Sequence, residues 1–179
     1  RSSDLIEIDE ADVSSLKEQI NKWVSSINDY KYTLENIENG KTYTFTQIMN
    51  GNNVYTNTTY NDGQTKTSEE IYVLGENVYV RKNDNDLQEI TENKDEFLND
   101  NLIVVSLSDV ISDLFDSVNN KVVFKDPMDI FVSAGKNTLE IKLSQGGVPI
   151  YFELISDTLA GKSTSKLTID LENTQVNLN

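Results

Sequence analysis

The residues that most often perform chemistry in proteins are unevenly represented in this chain of 179 residues. It contains no cysteine and no histidine, which excludes Ser-His-Asp triads, cysteine nucleophiles, disulfides and zinc sites of the usual kind. Carboxylates are abundant, and the densest groups are Glu69 with Glu70 and Asp84 with Asp86. Close pairs are inevitable among 30 acidic residues, and the sequence does not show the spacing that an acid pair for glycoside hydrolysis requires. We therefore predict that the protein is not an enzyme.

Two short motifs resemble ligand-binding loops in composition only. Residues 83–86 (Asn-Asp-Asn-Asp) and Glu89 are rich in oxygen ligands, but the glycine at the sixth position and the glutamate at the twelfth position of an EF-hand are missing. Residues 160–163 (Ala-Gly-Lys-Ser) match the end of a phosphate-binding loop, yet Ser156 stands where its first glycine is needed and no helix is expected after it. We interpret both as hairpin turns and expect no metal and no cofactor.

The charge of the chain limits its partners. The formal net charge is −15, with 15 Lys and Arg residues and no basic cluster, so the chain lacks the cations that bind a phosphate backbone. This excludes nucleic acid as a partner. The hydrophobic fraction is 37% and includes 8 Tyr and 6 Phe, which is too aromatic for a disordered acidic chain. No apolar run approaches the roughly 20 residues of a membrane span.

Two segments have apolar residues at helical spacing. Residues 1–11 are acidic and without a clear period, which is typical of a tether. From residue 12 to about residue 29 one stripe contains Leu16, Ile20 and Trp23, and this predicts an amphipathic helix. A second stripe between Leu107 and Val118 predicts another helix of about three turns, which Ser106 or Ser108 would cap.

The remaining segments alternate with the period of two that is typical of strands. Six predicted strands cover residues 32–38, 42–49, 54–60, 65–74, 78–81 and 87–90, with turns such as Asn39-Gly40 between most of them. About four more follow the second helix, and residues 159–164 form one of their hairpin loops. We predict an α+β fold: a single domain over residues 12–179 in which a curved antiparallel sheet, an unclosed half-barrel, packs two amphipathic helices on its concave face.

Several large apolar residues are candidates for the lining of a cavity. Tyr43, Phe45 and Met49 share one face of the second predicted strand, and residues 126–131 form an apolar connection that bears a methionine and would cover such a cavity. The alternative is a closed core in which all of these side chains simply pack, and composition alone favours it. The full candidate set for ligand binding is Tyr43, Phe45, Met49, Ile111, Phe115, Met128, Phe131, Ile141 and Phe152.

The order of the predicted elements, together with the segments Ile71–Val80 and Val148–Phe152, resembles the LolA/LppX/LprG-like superfamily of bacterial extracytoplasmic lipoproteins and lipid carriers. The resemblance is one of layout over residues 12–179. It implies an unclosed β-barrel over helices whose apolar interior receives an acyl chain, a lipid or another hydrophobic small molecule, without catalysis. Relatives often carry Trp where this chain has Leu87.

The resemblance also implies a location outside the cytoplasm. The tether would follow a lipidated cysteine just upstream of Arg1, which would attach a monomer to the bacterial cell membrane. A signal peptide ending in that cysteine would be encoded by the gene, whereas a cytosolic start codon there would overturn this expectation. The alternative function is a cell-surface structural or protein-interaction domain with a packed core.

Overall fold

A computed structural model describes residues 13–118, 122–126 and 129–178, and within them the chain forms three helices and eleven strands. The helices are α1 (Val13–Ser25), α2 (Lys94–Asn101) and α3 (Leu107–Asp116). The strands are β1 (Tyr30–Glu38), β2 (Lys41–Asn50), β3 (Asn53–Asn61), β4 (Lys66–Leu74), β5 (Asn77–Lys82), β6 (Gln88–Ile90), β7 (Val122–Asp126), β8 (Asp129–Ala134), β9 (Asn137–Leu143), β10 (Pro149–Thr158) and β11 (Gly161–Asp170). These elements belong to two compact units.

The first unit, here the meander unit, comprises residues 28–104 and 170–178. Its strands β1 to β6 lie side by side in chain order, and each is antiparallel to the next. The predicted Asn39-Gly40 turn joins β1 to β2 with both residues at positive φ, 51° and 74°, as the favoured two-residue hairpin requires. On one face, Phe97 and Leu98 of α2 pack against a cluster formed by Ile71, Val78 and Val80.

The second unit, here the helical unit, comprises residues 13–27 and 105–169. Its strands run in the order β11, β10, β9, β8, β7, again with antiparallel pairing. The inner face of its sheet is apolar: Ile130, Ile141, Phe152 and Leu167 lie in one row across four strands, and each is fully buried. The helices α1 and α3 contact each other and bury their apolar stripes in the same unit. The core of this unit therefore consists of one sheet face and two amphipathic helices.

The fold class predicted from the sequence is confirmed: the protein is α+β, with an unclosed antiparallel sheet and amphipathic helices. The two predicted helices are present as α1 and α3. Whether residues 12–179 behave as one domain stays a prediction, and the predicted tether at residues 1–11 lies outside the described residues.

Three segments differ from the sequence prediction. The sequence reading did not predict α2, whose Phe97 and Leu98 are consecutive and give no regular stripe. The hairpin predicted at residues 159–164 is present, but its loop is shorter than predicted, because Thr158 pairs with Gly161 and the turn holds only Leu159 and Ala160. The predicted connection at residues 126–131 is also wrong in part. Asp126 ends β7 and residues 129–131 begin β8, and Asp126 pairs with Asp129.

The helix lengths also bear on membrane insertion. Among the residues that the structure describes, no helix is long and apolar enough to cross a bilayer.

A serine fixes where α3 begins. Ser106 has extended backbone angles, and its hydroxyl accepts a hydrogen bond from the backbone N–H of Asp109 at 3.1 Å. We expect Ser106→Ala to lower the free energy of unfolding by about 1 kcal/mol, because that N–H loses its partner. Ser108→Ala, two residues further inside the helix, is the matched control and should change it by less than about 0.5 kcal/mol. Urea denaturation of both variants checks this, and equal effects would contradict the capping role.

Candidate functional site

The structure divides the predicted cavity residues between the two units. Met128 lies outside the described residues. Tyr43, Phe45 and Met49 are on β2 of the meander unit, whereas Ile111, Phe115, Phe131, Ile141 and Phe152 are in the helical unit.

Four of the candidates in the helical unit lie in its core. Ile111 and Phe115 are 1% and 2% exposed on α3, and Ile141 and Phe152 are both 0% exposed and opposite each other on the sheet. A side chain with no accessible surface has no water-sized void beside it, so Ile141 and Phe152 are closely packed, and Ile111 and Phe115 are almost completely buried. Phe131 pairs with Glu140 rather than with Ile141, which places it on the opposite, outer face of the sheet.

The three candidates on β2 share one face, as their spacing predicts. Met49 pairs with Tyr30 and Val54, and Phe45 pairs with Leu34. Tyr43 is 45% exposed. It lines a small cleft of about 300 Å³ with Asn36, Glu38, Asn39 and Lys41, near the hairpin between β1 and β2.

The opposite face of the meander unit carries a row of tyrosines, and we call it the tyrosine face. Ile48, Tyr55, Tyr72 and Tyr79 are directly opposite one another on β2, β3, β4 and β5. The rings of Tyr55 and Tyr72 are tilted at 53° with centroids 4.8 Å apart, an arrangement in which aromatic pairs attract. Val176, from the C-terminal segment, packs on Ile48 and Tyr72, and Asn50 Nδ2 donates to the carbonyl of Thr174 at 2.8 Å.

Glu70 hydrogen-bonds two tyrosines of this face and forms an ion pair with Arg81. We call these four residues the Glu70 cluster. The Tyr55 hydroxyl donates to Glu70 Oε2 at 2.6 Å, and the Tyr72 hydroxyl donates to the same oxygen at 3.1 Å. Arg81 Nη1 donates to Glu70 Oε1 at 3.1 Å. The side chains of Arg81 and Glu70 are only 22% and 17% exposed, so the carboxylate is held in a fixed orientation by three donors.

The same contacts change the acidity of the tyrosines. Burial, and then the hydrogen bond to Glu70, raise the pKa of the Tyr55 phenol well above its ordinary value. Burial, and then the charge of Glu70, also raise the pKa of Tyr72. Both phenols therefore remain protonated and act as donors to Glu70 well into the alkaline range.

Two clefts flank the Glu70 cluster, each of about 470 Å³. The first, here the tail cleft, is lined by Lys31, Ile48, Tyr55, Tyr72, Glu172, Asn173, Gln175, Val176 and Asn177. The second, here the Arg81 cleft, is lined by Thr59, Lys66, Ser68, Glu70, Arg81, Asn83, Asp84, Asn85, Asp86 and Leu87. Leu87, which lines the Arg81 cleft, also packs against the cluster of Ile48, Tyr72 and Val176, and Ile48, Tyr72 and Val176 line the tail cleft.

Glu70 and residues 83–86 stand out in the sequence as carboxylate groups, but their assembly into one site was not predicted. The sequence does indicate part of this site. Residues 75–77 are a predicted turn between two strands, and a turn of two residues there places Tyr72 opposite Tyr79 and Glu70 opposite Arg81, as observed. No group of three or more acidic side chains suited to a metal ion occurs among the described residues.

No protein-family model matches the chain, and no curated protein matches it.

The raised pKa values predict a loss of stability at alkaline pH. An unfolded tyrosine ionises near pH 10, and Tyr55 and Tyr72 ionise at higher pH in the folded protein. The stabilisation is therefore complete below about pH 10 and is lost as the pH rises further, because the unfolded chain releases protons first. We expect the free energy of unfolding, measured by urea denaturation between pH 9 and pH 12, to fall less steeply in Tyr55→Phe than in the wild type.

At neutral pH, the effect of Tyr55→Phe on the free energy of unfolding is compared with that of Tyr43→Phe. Tyr55→Phe removes a hydrogen bond to a carboxylate and should cost about 1–2 kcal/mol. Tyr43→Phe removes a hydroxyl from a ring that is 45% exposed and should cost less than about 0.5 kcal/mol. Identical alkaline profiles for Tyr55→Phe and the wild type would contradict the assignment of the Tyr55–Glu70 bond.

Proposed function

We propose that the protein is a non-enzymatic binding protein that takes up a hydrophobic small molecule or lipid in the interior of the helical unit. The observation that carries the proposal is the construction of this unit, in which a sheet with one apolar face is covered by two amphipathic helices. This construction agrees with the LolA/LppX/LprG-like layout that the sequence resembles. The inner row of Ile141 and Phe152 offers an acyl chain only hydrocarbon contacts.

Entry of a ligand requires that a helix move, because the interior is packed. The helix α3 has only 10 residues, and a helix of that length is marginal without tertiary contacts. Its displacement would expose Ile111, Phe115 and the sheet face beneath. An acyl chain that replaced these contacts would gain about 25 cal/mol for each Å² of apolar surface removed from water. The proposed mechanism is therefore exchange of helix contacts for ligand contacts.

The proposed location follows from the same resemblance. A monomer attached to the outer side of the bacterial membrane through a lipidated cysteine upstream of Arg1 would hold the helical unit near a supply of lipid. An acidic protein with a net charge of −15 is repelled by an anionic membrane surface. A covalent anchor would overcome this repulsion.

Lipid extraction tests the proposal. Residues 1–179, secreted by a bacterial host without the lipid anchor and purified without detergent, should release into organic solvent a lipid that mass spectrometry identifies. The emptied protein should then bind cis-parinaric acid saturably, as followed by its fluorescence. Phe115→Ala should take up this probe at least fivefold faster, because α3 is held less tightly. Asp113→Ala, on the exposed side of the same helix, should not. Absence of both released lipid and saturable probe binding would contradict the proposal.

A second candidate is the protein-interaction domain with a packed core. It is favoured by the close packing of Ile141 and Phe152 and by two consecutive exposed apolar residues, Ile103 and Val104, which are 68% and 47% exposed. Exposed apolar side chains of this kind contribute to protein interfaces. This function predicts that the extracted protein contains no lipid and that Ile103→Asp abolishes binding to the protein partner, whereas Asp113→Ala does not.

A further inference from the structure

The Arg81 cleft has features that the proposed function does not use. It is a concavity of about 470 Å³ in the meander unit, which lies within the size range of small-molecule sites. Nine of its ten lining residues are polar, and Leu87 is the exception. An acyl chain placed here would bury polar groups without partners, which is unfavourable. The ligand of this cleft is therefore different in chemistry from the ligand proposed for the helical unit.

Its inner wall is rigid. Glu70 and Arg81 face each other across β4 and β5, and the carboxylate is fixed by Arg81 and by the hydroxyls of Tyr55 and Tyr72. Replacing a half-buried ion pair by apolar residues is often neutral or stabilising, so stability alone is a weak reason for such a cluster. A fixed carboxylate next to a fixed guanidinium presents acceptors and donors side by side, at low entropic cost to a ligand.

The outer wall is the loop of residues 83–86, which carries amides and carboxylates. Asn83 fixes its start, since its Oδ1 accepts from the backbone N–H of Ser68 at 3.0 Å and its own N–H donates to the Ser68 carbonyl at 2.7 Å. Asn85 and Asp86 line the same cleft as Arg81. Leu87 is held against Ile48, Tyr72 and Val176 and offers a small apolar platform beside these polar groups.

The charges of the cleft disfavour an anionic ligand. Two cations, Lys66 and Arg81, stand against three carboxylates, those of Glu70, Asp84 and Asp86. The site is close to neutral, and the net charge of −15 disfavours the approach of anions. Hydrogen-bond donors and acceptors surround the single apolar side chain, Leu87. A sugar ring is complementary to this arrangement, because it carries hydroxyl groups at its edge and C–H groups on its face.

We propose that the Arg81 cleft is a carbohydrate-binding site, in which Arg81, Glu70, Asn85 and Asp86 hydrogen-bond the hydroxyls of a neutral mono- or disaccharide and Leu87 contacts its C–H face. The role is binding without catalysis. It goes beyond the proposed function because the cleft belongs entirely to the meander unit.

The test uses the full chain and defined neutral sugars: glucose, galactose, N-acetylglucosamine and their disaccharides. Binding is measured by isothermal titration calorimetry, and the site is located by amide chemical-shift changes in two-dimensional NMR. We expect at least one sugar to bind saturably and to shift the amides of residues 81–87. Asp86→Ala and Asn85→Ala should weaken its affinity at least tenfold. Asp157→Ala, an exposed acid on β10, makes the same change in charge and should leave the affinity unchanged.

Three results would overturn the proposal. They are the absence of binding by every sugar at millimolar concentration, sugar binding that Asp86→Ala and Asn85→Ala leave unchanged, and chemical-shift changes at residues 81–87 with inorganic phosphate but with no sugar. The lipid-extraction experiment does not depend on this cleft, so failure of one proposal is distinguishable from failure of the other.

Discussion

The structure depends on the constraint that an antiparallel sheet with one apolar face must have that face covered. In the helical unit, the fully buried row from Ile130 to Leu167 and the apolar stripes of α1 and α3 bury one another. In the meander unit, α2 covers Ile71, Val78 and Val80 on one face, and Val176 covers Ile48 and Tyr72 on the other. Each covering element is a short helix or an extended segment, so its order derives from burial rather than from its intrinsic propensity.

The protein offers a ligand two different surfaces, the apolar interior of the helical unit and the polar Arg81 cleft of the meander unit. The inner face of the helical unit is hydrocarbon and closed, so a ligand there competes with α3 for the same contacts. The tyrosine face of the meander unit is half-covered, and its polar rows remain open beside a rigid Glu70 cluster. An interior site selects for apolar surface and gains affinity from burial, whereas the open cleft selects by the arrangement of donors and acceptors.

Much of the fold could be predicted because its signals are local. Period-two alternation and turns such as Asn39-Gly40 predict the hairpins, and helical spacing predicts α1 and α3. The helix α2 could not be predicted in this way, since it is stabilised by contacts of Phe97 and Leu98 with distant strands. The packing of Val176 on Tyr72 is likewise a long-range contact with no local pattern. To predict the Glu70 cluster, one must know the strand registers of two hairpins, β3–β4 and β4–β5. The turn before β5 sets one of them, but the four-residue loop between Asn61 and Lys66 leaves the other open.

Whether the apolar face is fully covered can be measured from the stability of a variant that removes a side chain from the inner row. Phe152 is 0% exposed, whereas Leu159, on the hairpin at the end of the same strand, is fully exposed. If the apolar face is fully covered, Phe152→Ala lowers the free energy of unfolding in urea by about 3–5 kcal/mol, and Leu159→Ala changes it by less than about 0.5 kcal/mol. A cost below about 1 kcal/mol for Phe152→Ala would contradict the account, because a packed residue of this size cannot be removed so cheaply.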